Sequence, residues 1–131
     1  MEYTELNPKG NFDSWDNDKL TELRKENLSG TIGIPLFENE IIIVSELILH
    51  PNERMPFRKS KYNYSATSLT DGLLISRNGN GKITMLRFKE GDVVYWKFNS
   101  ASAIADLQNI GTTTIQGIIV AQKKKYSFCQ E

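Results

Sequence analysis

The chain has only one cysteine, Cys129, and one histidine, His50, in 131 residues. A single cysteine cannot form a disulfide within the chain, and it lies far from His50 in the sequence, so a catalytic Cys/His pair is not indicated. With one imidazole in the chain, a transition-metal site would have to draw on carboxylates such as Glu46 or Glu53.

Long hydrophobic runs and a net charge are also missing. The longest apolar stretch, residues 41–49, is interrupted by Ser45 and Glu46, and crossing a bilayer takes about 20 apolar residues. The N-terminal region lacks the pattern of a secretory signal. Sixteen acidic residues balance sixteen basic ones, which disfavours binding of nucleic acid by broad phosphate neutralisation. We therefore expect a cytoplasmic protein with no nucleic-acid partner and no membrane association.

Short β-branched and aromatic runs begin at Thr31 and are separated by turn residues at steady intervals. This spacing is typical of an all-β sandwich or barrel. The predicted strands are Gly33 to Phe37, Glu40 to His50, Tyr62 to Thr70, Gly72 to Arg77, Lys82 to Phe88, Val93 to Lys97, Ile104 to Asn109 and Thr114 to Gln122.

Several residues predict the turns between these strands. Asn39 marks one hairpin, Asn78-Gly79-Asn80-Gly81 gives the strongest hairpin signal, and Asp71-Gly72 predicts a tight turn in which Gly72 has a positive φ. Pro51 and Pro56 limit their segment to a loop or a sheet edge, because proline cannot donate a hydrogen bond to a neighbouring strand.

The first 30 residues are the polar part of the chain. Asp16 or Asn17 could cap a short helix through Lys25, with Gly30 as a stop. Trp15, Leu20 and Leu23 would give that helix a weak apolar face. With 39% apolar and 24% charged residues, the chain fits one soluble domain. We predict an extension at residues 1–30 packed on a β-barrel at 31–122, and a tail at 123–131.

The segment 51–72, PNERMPFRKSKYNYSATSLTDG, resembles the first signature of the cupin family, G(x)5HxH(x)4E(x)6G, when Asn52 takes the place of the first glycine. Glu90-Gly91-Asp92 is similar to the family's "pGD" turn, and Asn109 with Gly111 to its "xNxGxxP" strand pair. The resemblance covers about residues 40–122. It implies an all-β fold, the cupin-type double-stranded β-helix (jelly-roll) barrel.

The same resemblance implies that the family's metal ligands are replaced. Its first signature places Arg58, Ser60 and Ser65 at the ligand positions, and its second signature places Ser102 or Ala105 at the histidine position. Guanidinium, hydroxyl and methyl groups do not form a transition-metal site. We therefore expect no metal and no cofactor. A site built from Glu46 and His50, which share one face of a regular strand, is the alternative.

An arginine in the barrel mouth would pair well with a carboxylate or a phosphate. We predict that this mouth binds a small anionic or hydroxylated molecule. The predicted binding residues are His50, Arg58, Ser60, Tyr62, Tyr64, Ser65, Trp96 and Ala105. The alternative is that Arg58, Lys59 and Lys61 face solvent on a basic loop.

Two other functions stay open at this point. The first is an enzyme, which would use either a metal at His50 and Glu46 or, as a metal-independent isomerase or lyase, His50 as base with Tyr64 as acid. The second is a structural dimerisation module whose N-terminal third covers the sheet of a neighbouring copy, with the strand at residues 33–37 as a natural edge for this pairing. Because no set of residues indicates a reaction, we favour binding over catalysis, and we expect a homodimer.

Overall fold

The computed structural model describes residues 1–12, 15–24, 32–96 and 104–123. The elements are β1 (Glu2–Glu5), α1 (Asn17–Leu23), β2 (Ile34–Glu38), β3 (Ile42–Leu49), β4 (Arg54–Lys59), β5 (Asn63–Ser68), β6 (Gly72–Arg77), β7 (Ile83–Phe88), β8 (Val93–Trp96), β9 (Ile104–Asn109) and β10 (Ile115–Gln122). This confirms the prediction of an all-β fold with a short N-terminal helix.

The strands form two antiparallel five-stranded sheets that enclose one hydrophobic core. The first sheet has the order β1-β7-β6-β9-β4, and the second has the order β2-β3-β10-β5-β8. Alternate side chains of each strand face the interior. The buried core cluster consists of Ile32, Leu47, Leu49, Leu74, Leu86, Phe88, Ile115 and Ile119.

The eight predicted strands are all present, with ends that differ by a few residues. Two further strands, β1 and β4, had no strand prediction. The segment limited by Pro51 and Pro56 forms β4, which lies at one edge of the first sheet, as its prolines allow. A register shift between Met55 and Arg58 accommodates Pro56.

Two of the predicted turns are confirmed, and one is wrong in its conformation. The side chain of Asn39 accepts hydrogen bonds from the backbone of Ile41 and Ile42, and Gly81 has a φ of 90° in the β6–β7 hairpin. Gly72, however, is not among the described residues with positive φ. A Cβ atom there would lie 2.6 Å from Phe88 Cζ, so lack of space in the core, rather than turn geometry, requires glycine.

Asn109 is fully buried and holds the loops at one end of the barrel. Its amide nitrogen donates to the backbone oxygens of Leu49 (2.9 Å) and Thr113 (2.8 Å), and its oxygen accepts from Gly111 N (2.9 Å). Its backbone also exchanges hydrogen bonds with Asn52 and Glu53. The Asn109 and Gly111 pattern seen in the sequence therefore has a structural role.

The N-terminal segment lies against the outer face of the first sheet. Asp16 caps helix α1, as predicted, by accepting a hydrogen bond from Lys19 N. Trp15 stacks on Phe57 of β4 at a centroid distance of 5.6 Å. Lys25 and Gly30, the predicted end of the helix, lie outside the described residues. In the part of the chain that is described, no helix is long and apolar enough to span a membrane.

An ion-pair network fixes this segment to the sheet. Asp106 of β9, which is 0% exposed, accepts hydrogen bonds from Arg54 Nε (2.7 Å), Arg77 Nη1 (2.9 Å) and Arg77 N (2.7 Å). The other end of Arg54 binds Glu22 of α1 through two hydrogen bonds. Burial lowers the pKa of Arg54, but its hydrogen bonds to Glu22 and Asp106 outweigh this effect and raise the pKa overall.

Candidate functional site

Arg58 faces the interior of the barrel because of a β-bulge in β4. Met55 pairs with Leu107 and Arg58 pairs with Ala105, so three steps along β4 match two steps along β9. In a regular strand, Met55 and Arg58 would point to opposite faces of the sheet. The extra residue places both side chains on the inner face, and Arg58 is only 7% exposed.

Arg58 lines a cavity of about 260 Å³ at this end of the barrel, which we call the polar cavity. Strands of both sheets contribute to its wall. The lining residues are Tyr3, Ile32, Arg58, Ser60, Tyr64, Ser76, Asn78, Thr84, Leu86, Trp96, Ala105 and Leu107. Among its described lining residues, the cavity therefore combines one cation, several hydroxyl groups and several apolar side chains.

The guanidinium of Arg58 has unused hydrogen-bonding capacity. Its buried Nε and Nη1 atoms form no hydrogen bond with any of the described residues. Burial lowers its pKa to about 10, although interactions with Tyr64 and Asp106 partly offset this decrease. Arg58 is still a cation at neutral pH. An unpaired buried cation is costly, so its environment is suited to an anion.

Tyr64 provides a neutral hydroxyl group beside Arg58. Burial raises its pKa to about 12, and the nearby Arg58 charge only partly counteracts this effect. Its ring packs against Trp96 at a centroid distance of 5.2 Å. Tyr64 is therefore protonated at neutral pH, and its hydroxyl group can both donate and accept a hydrogen bond.

Four polar residues of the cavity wall, Tyr3, Ser76, Asn78 and Thr84, were missed by sequence reasoning. The hydroxyl groups of Tyr3 and Thr84 lie 3.4 Å apart. Alternation along β6 and β7 could have identified Ser76 and Thr84, since they share a face with the core residues Leu74 and Leu86. Tyr3 gave no such signal, because its strand was not predicted.

The predicted site residues fall into two groups. Arg58, Ser60, Tyr64, Trp96 and Ala105 line the polar cavity together. Tyr62 lines an adjacent cavity of about 250 Å³, which shares Ile32, Ser60 and Tyr64 with the polar cavity. Ser65 and His50 are not brought to either cavity.

Ser65 and His50 lie on the outside of the second sheet. Ser65 is paired with Val120 and with the exposed Tyr95. His50 is exposed and lies 3.3 Å from the hydroxyl group of Thr114. Glu46 shares its face, as predicted, but this is the outer face, because Leu47 and Leu49 are the residues that enter the core.

The strand register also separates His50 from Tyr64. Tyr64 pairs with Ala121, which pairs with Ile43, and His50 follows Ile43 by seven residues along β3. At about 3.3 Å per residue, the two side chains are about 20 Å apart along the strand direction. The structure therefore does not bring together the base and acid that the metal-independent enzyme hypothesis requires.

Comparison with solved structures identifies the fold. The structure is similar to a cupin domain from Bordetella pertussis Tohama I, with a TM-score of 0.62 and 17% identity over 76% of this chain and 100% of that one. It is also similar to an RmlC-like cupin family protein with a double-stranded beta-helix fold from Methanocaldococcus jannaschii (TM-score 0.56, 20% identity, 75% and 84% covered). The chain has the cupin fold.

Other comparisons add a structural relative but no function. An uncharacterized conserved protein with a double-stranded beta-helix domain from Klebsiella pneumoniae has a TM-score of 0.54 and 16% identity, with 88% of this chain and 95% of that one covered. No protein-family model and no curated protein matches the sequence. The cupin fold is therefore shown by structure, while the activity has to be argued from the site.

The donor set of this cupin barrel does not fit a metal. Of the positions that the family resemblance assigns to ligands, Arg58 places a cation in the cavity, Ser65 lies on the outer face, and Ala105 has only a methyl group. Ser102 lies outside the described residues. Within the four described segments, no group of three His, Cys, Asp or Glu side chains could hold a metal ion.

Proposed function

We propose that this cupin barrel binds a small organic anion, with Arg58 as the residue that receives the anionic group. The observation that carries the proposal is a cation that is 7% exposed, lines a cavity and has two donor atoms without a hydrogen-bond partner among the described residues. Binding proteins place a few polar groups in otherwise apolar pockets in this way.

An anion would compensate the cost of burying Arg58. A guanidinium can donate two parallel hydrogen bonds to a carboxylate, and such charge-assisted bonds are roughly twice as strong as neutral ones. The hydroxyl groups of Ser60 and Tyr64 line the same cavity and can supply further hydrogen bonds. Arg58 itself is only 7% exposed, and low exposure to water strengthens the interactions of its charge.

Calorimetric titration with butyrate and with phosphate, on the wild type and on Arg58→Met, tests the proposal. We expect at least one of the two anions to bind the wild type and to lose at least tenfold in affinity in Arg58→Met. Lys59→Met is the matched control, since Lys59 is the next cation along β4 and is exposed. If neither anion binds, or if both variants lose affinity equally, Arg58 is not the receptor. Circular dichroism confirms that each variant is folded.

We propose a homodimer as a second role, based on the outer face of the second sheet. One lateral row on this face runs from Ile34 through Glu46, Ile118 and Thr67 to Val93, and the apolar residues at its two ends are 65% and 63% exposed. A neighbouring row contains Phe37 and Tyr95, which are also exposed. Apolar surface of this kind marks interaction sites.

The homodimer is tested by light scattering over a concentration series. We expect the wild type to be dimeric and Val93→Glu to be monomeric, whereas Lys89→Glu, outside this face, stays dimeric. A wild type that is monomeric at all concentrations would exclude this role.

A further inference from the structure

We propose that the ligand is a monocarboxylate with an unbranched apolar tail, held with its carboxylate at Arg58 and its tail in the core of the barrel. This inference deepens the proposed anion binding and depends on it. It arises from a second cavity, which we call the core cavity, of about 80 Å³.

The core cavity lies next to the polar cavity, further into the barrel. Five residues line both cavities, namely Ile32, Tyr64, Leu86, Trp96 and Leu107. These five side chains lie between the two cavities, so the tail of a molecule whose head is at Arg58 would pass between them. The head and the tail would occupy two adjacent spaces of different chemistry.

The wall of the core cavity favours an alkyl group. Beyond the five shared residues, most of it is lined by apolar side chains such as Leu47, Leu74, Phe88, Ile115 and Ile119, while Thr67, Ser68, Asp92 and Gln116 also contribute. The apolar side chains offer no hydrogen-bonding groups, so a sugar or a second polar group packed against them would lose its hydrogen bonds to water. A methylene chain loses none and gains the burial of its surface.

The charges around the two cavities favour a single carboxylate over a phosphate or a diacid. Among the described lining residues, Arg58 is the only cationic side chain of the polar cavity, so a dianion would keep one charge unpaired. Asp92 also lines the core cavity, and its carboxylate lies 3.5 Å from the N-terminal ammonium group of Met1. Because this ammonium group is already paired, a second carboxylate at the end of the tail would lose its hydration without gaining a free cation among the described lining residues.

A chain-length series measures the tail directly. Acetate, butyrate, hexanoate and octanoate are titrated into the wild type, with the heat of binding as the readout. Each added methylene that becomes buried is expected to increase the affinity about fourfold, from about 0.8 kcal/mol per CH₂, until the core cavity is filled. Adipate, a diacid of the same carbon number as hexanoate, is expected to bind at least tenfold more weakly than hexanoate.

A variant that fills the core cavity distinguishes the contribution of the tail to the affinity from that of the carboxylate. Ala66 lines the core cavity but not the polar cavity, so Ala66→Val narrows the space for the tail and leaves the surroundings of Arg58 in place. We expect Ala66→Val to bind acetate like the wild type and to lose most of the gain with chain length. Arg58→Met is expected to weaken every member of the series by a similar factor.

The outcomes distinguish this inference from the proposed function. If butyrate or phosphate binds in an Arg58-dependent manner but the affinity does not increase with chain length, the tail assignment is wrong and the anion receptor stands. If phosphate binds more tightly than every carboxylate, the ligand class is wrong. If no anion binds, both proposals fail. The wild-type series together with Arg58→Met decides these cases, even if Ala66→Val does not fold.

Discussion

Replacing Arg58 by methionine should stabilise the protein in the absence of a ligand. Methionine keeps an unbranched apolar stem of similar length but removes the charge. Burial lowers the pKa of Arg58 from 12.5 to about 10, which corresponds to about 3.5 kcal/mol of unfavourable free energy in the folded state, at about 1.4 kcal/mol for each pH unit. Relaxation around the charge reduces this value, so we expect the free energy of unfolding to increase by about 1–3 kcal/mol.

Thermal and urea unfolding in a carboxylate-free buffer measure this change. For a domain of this size, about 1 kcal/mol shifts Tm by roughly 3–4 °C, so Arg58→Met should melt several degrees above the wild type. The pH dependence gives a second readout. Below pH 10, Arg58 is charged in both states and the difference between the proteins should be constant. Above pH 10, the folded wild type releases this proton before the unfolded chain does, so the difference should shrink.

Arg77→Met is the matched control, and here we expect the free energy of unfolding to decrease. Arg77 is also partly buried, but it donates hydrogen bonds to Asp106 and Gln108. Its removal leaves these acceptors with fewer partners and should lower the free energy of unfolding by about 2 kcal/mol or more. If Arg58→Met is destabilised as strongly as Arg77→Met, then Arg58 is a structural residue, and the reasoning that links its burial to ligand binding is refuted.

Four further predictions concern the stability of the fold and the binding of the ligand. Asn109→Ala should cost about 2 kcal/mol or more in urea unfolding, because the buried oxygen of Leu49 and two partly buried backbone groups lose their partner, and an unchanged midpoint would contradict the loop-holding role. Gly72→Ala should cost about 1–3 kcal/mol by overpacking against Phe88, and a crystal structure of the variant should show that ring displaced. Glu22→Gln should weaken the hydrogen bonds to Arg54 and lower the free energy of unfolding by about 1–2 kcal/mol. The N-terminal segment of this variant should be cleaved faster by a protease, and a cleavage rate equal to that of the wild type would contradict the role of Glu22 in holding the segment. Hexanoate affinity should be constant from about pH 6 to 9 and fall above pH 10 as Arg58 loses its charge, whereas a flat profile up to pH 11 would exclude Arg58 as the partner.

The sequence predicted the strands well because hydrophobic alternation and turn residues are local signals. The eight predicted strands are observed, and the hairpins at Asn39 and Gly81 follow from the residues at those turns. Strand β1 carried no such signal. All four of its residues are exposed, and it is held by pairing with β7, which is a contact between distant parts of the chain.

The candidate site was only partly predictable, for a related reason. The motif spacing selected Arg58, but its side chain faces inward only because of the bulge in β4. This bulge could not be predicted from the sequence. Regular spacing also selected Ser65, which the alternation of β5 places outside, opposite Tyr95. Residues from distant strands, such as Tyr3 and Ser76, join the site only through the sheet topology.

The bulge in β4 has a consequence for how this barrel could acquire or lose a function. Because one extra residue decides which side chains of an edge strand enter the cavity, a single-residue deletion near Pro56 would exchange Arg58 for a neighbouring side chain without any substitution. Relatives that differ in length at this point would have different interior chemistry even where their residues are similar. A one-residue gap in an alignment at this point reverses the face of the sheet on which each later residue of the strand lies. Two aligned residues of the same type can therefore face opposite sides of the sheet.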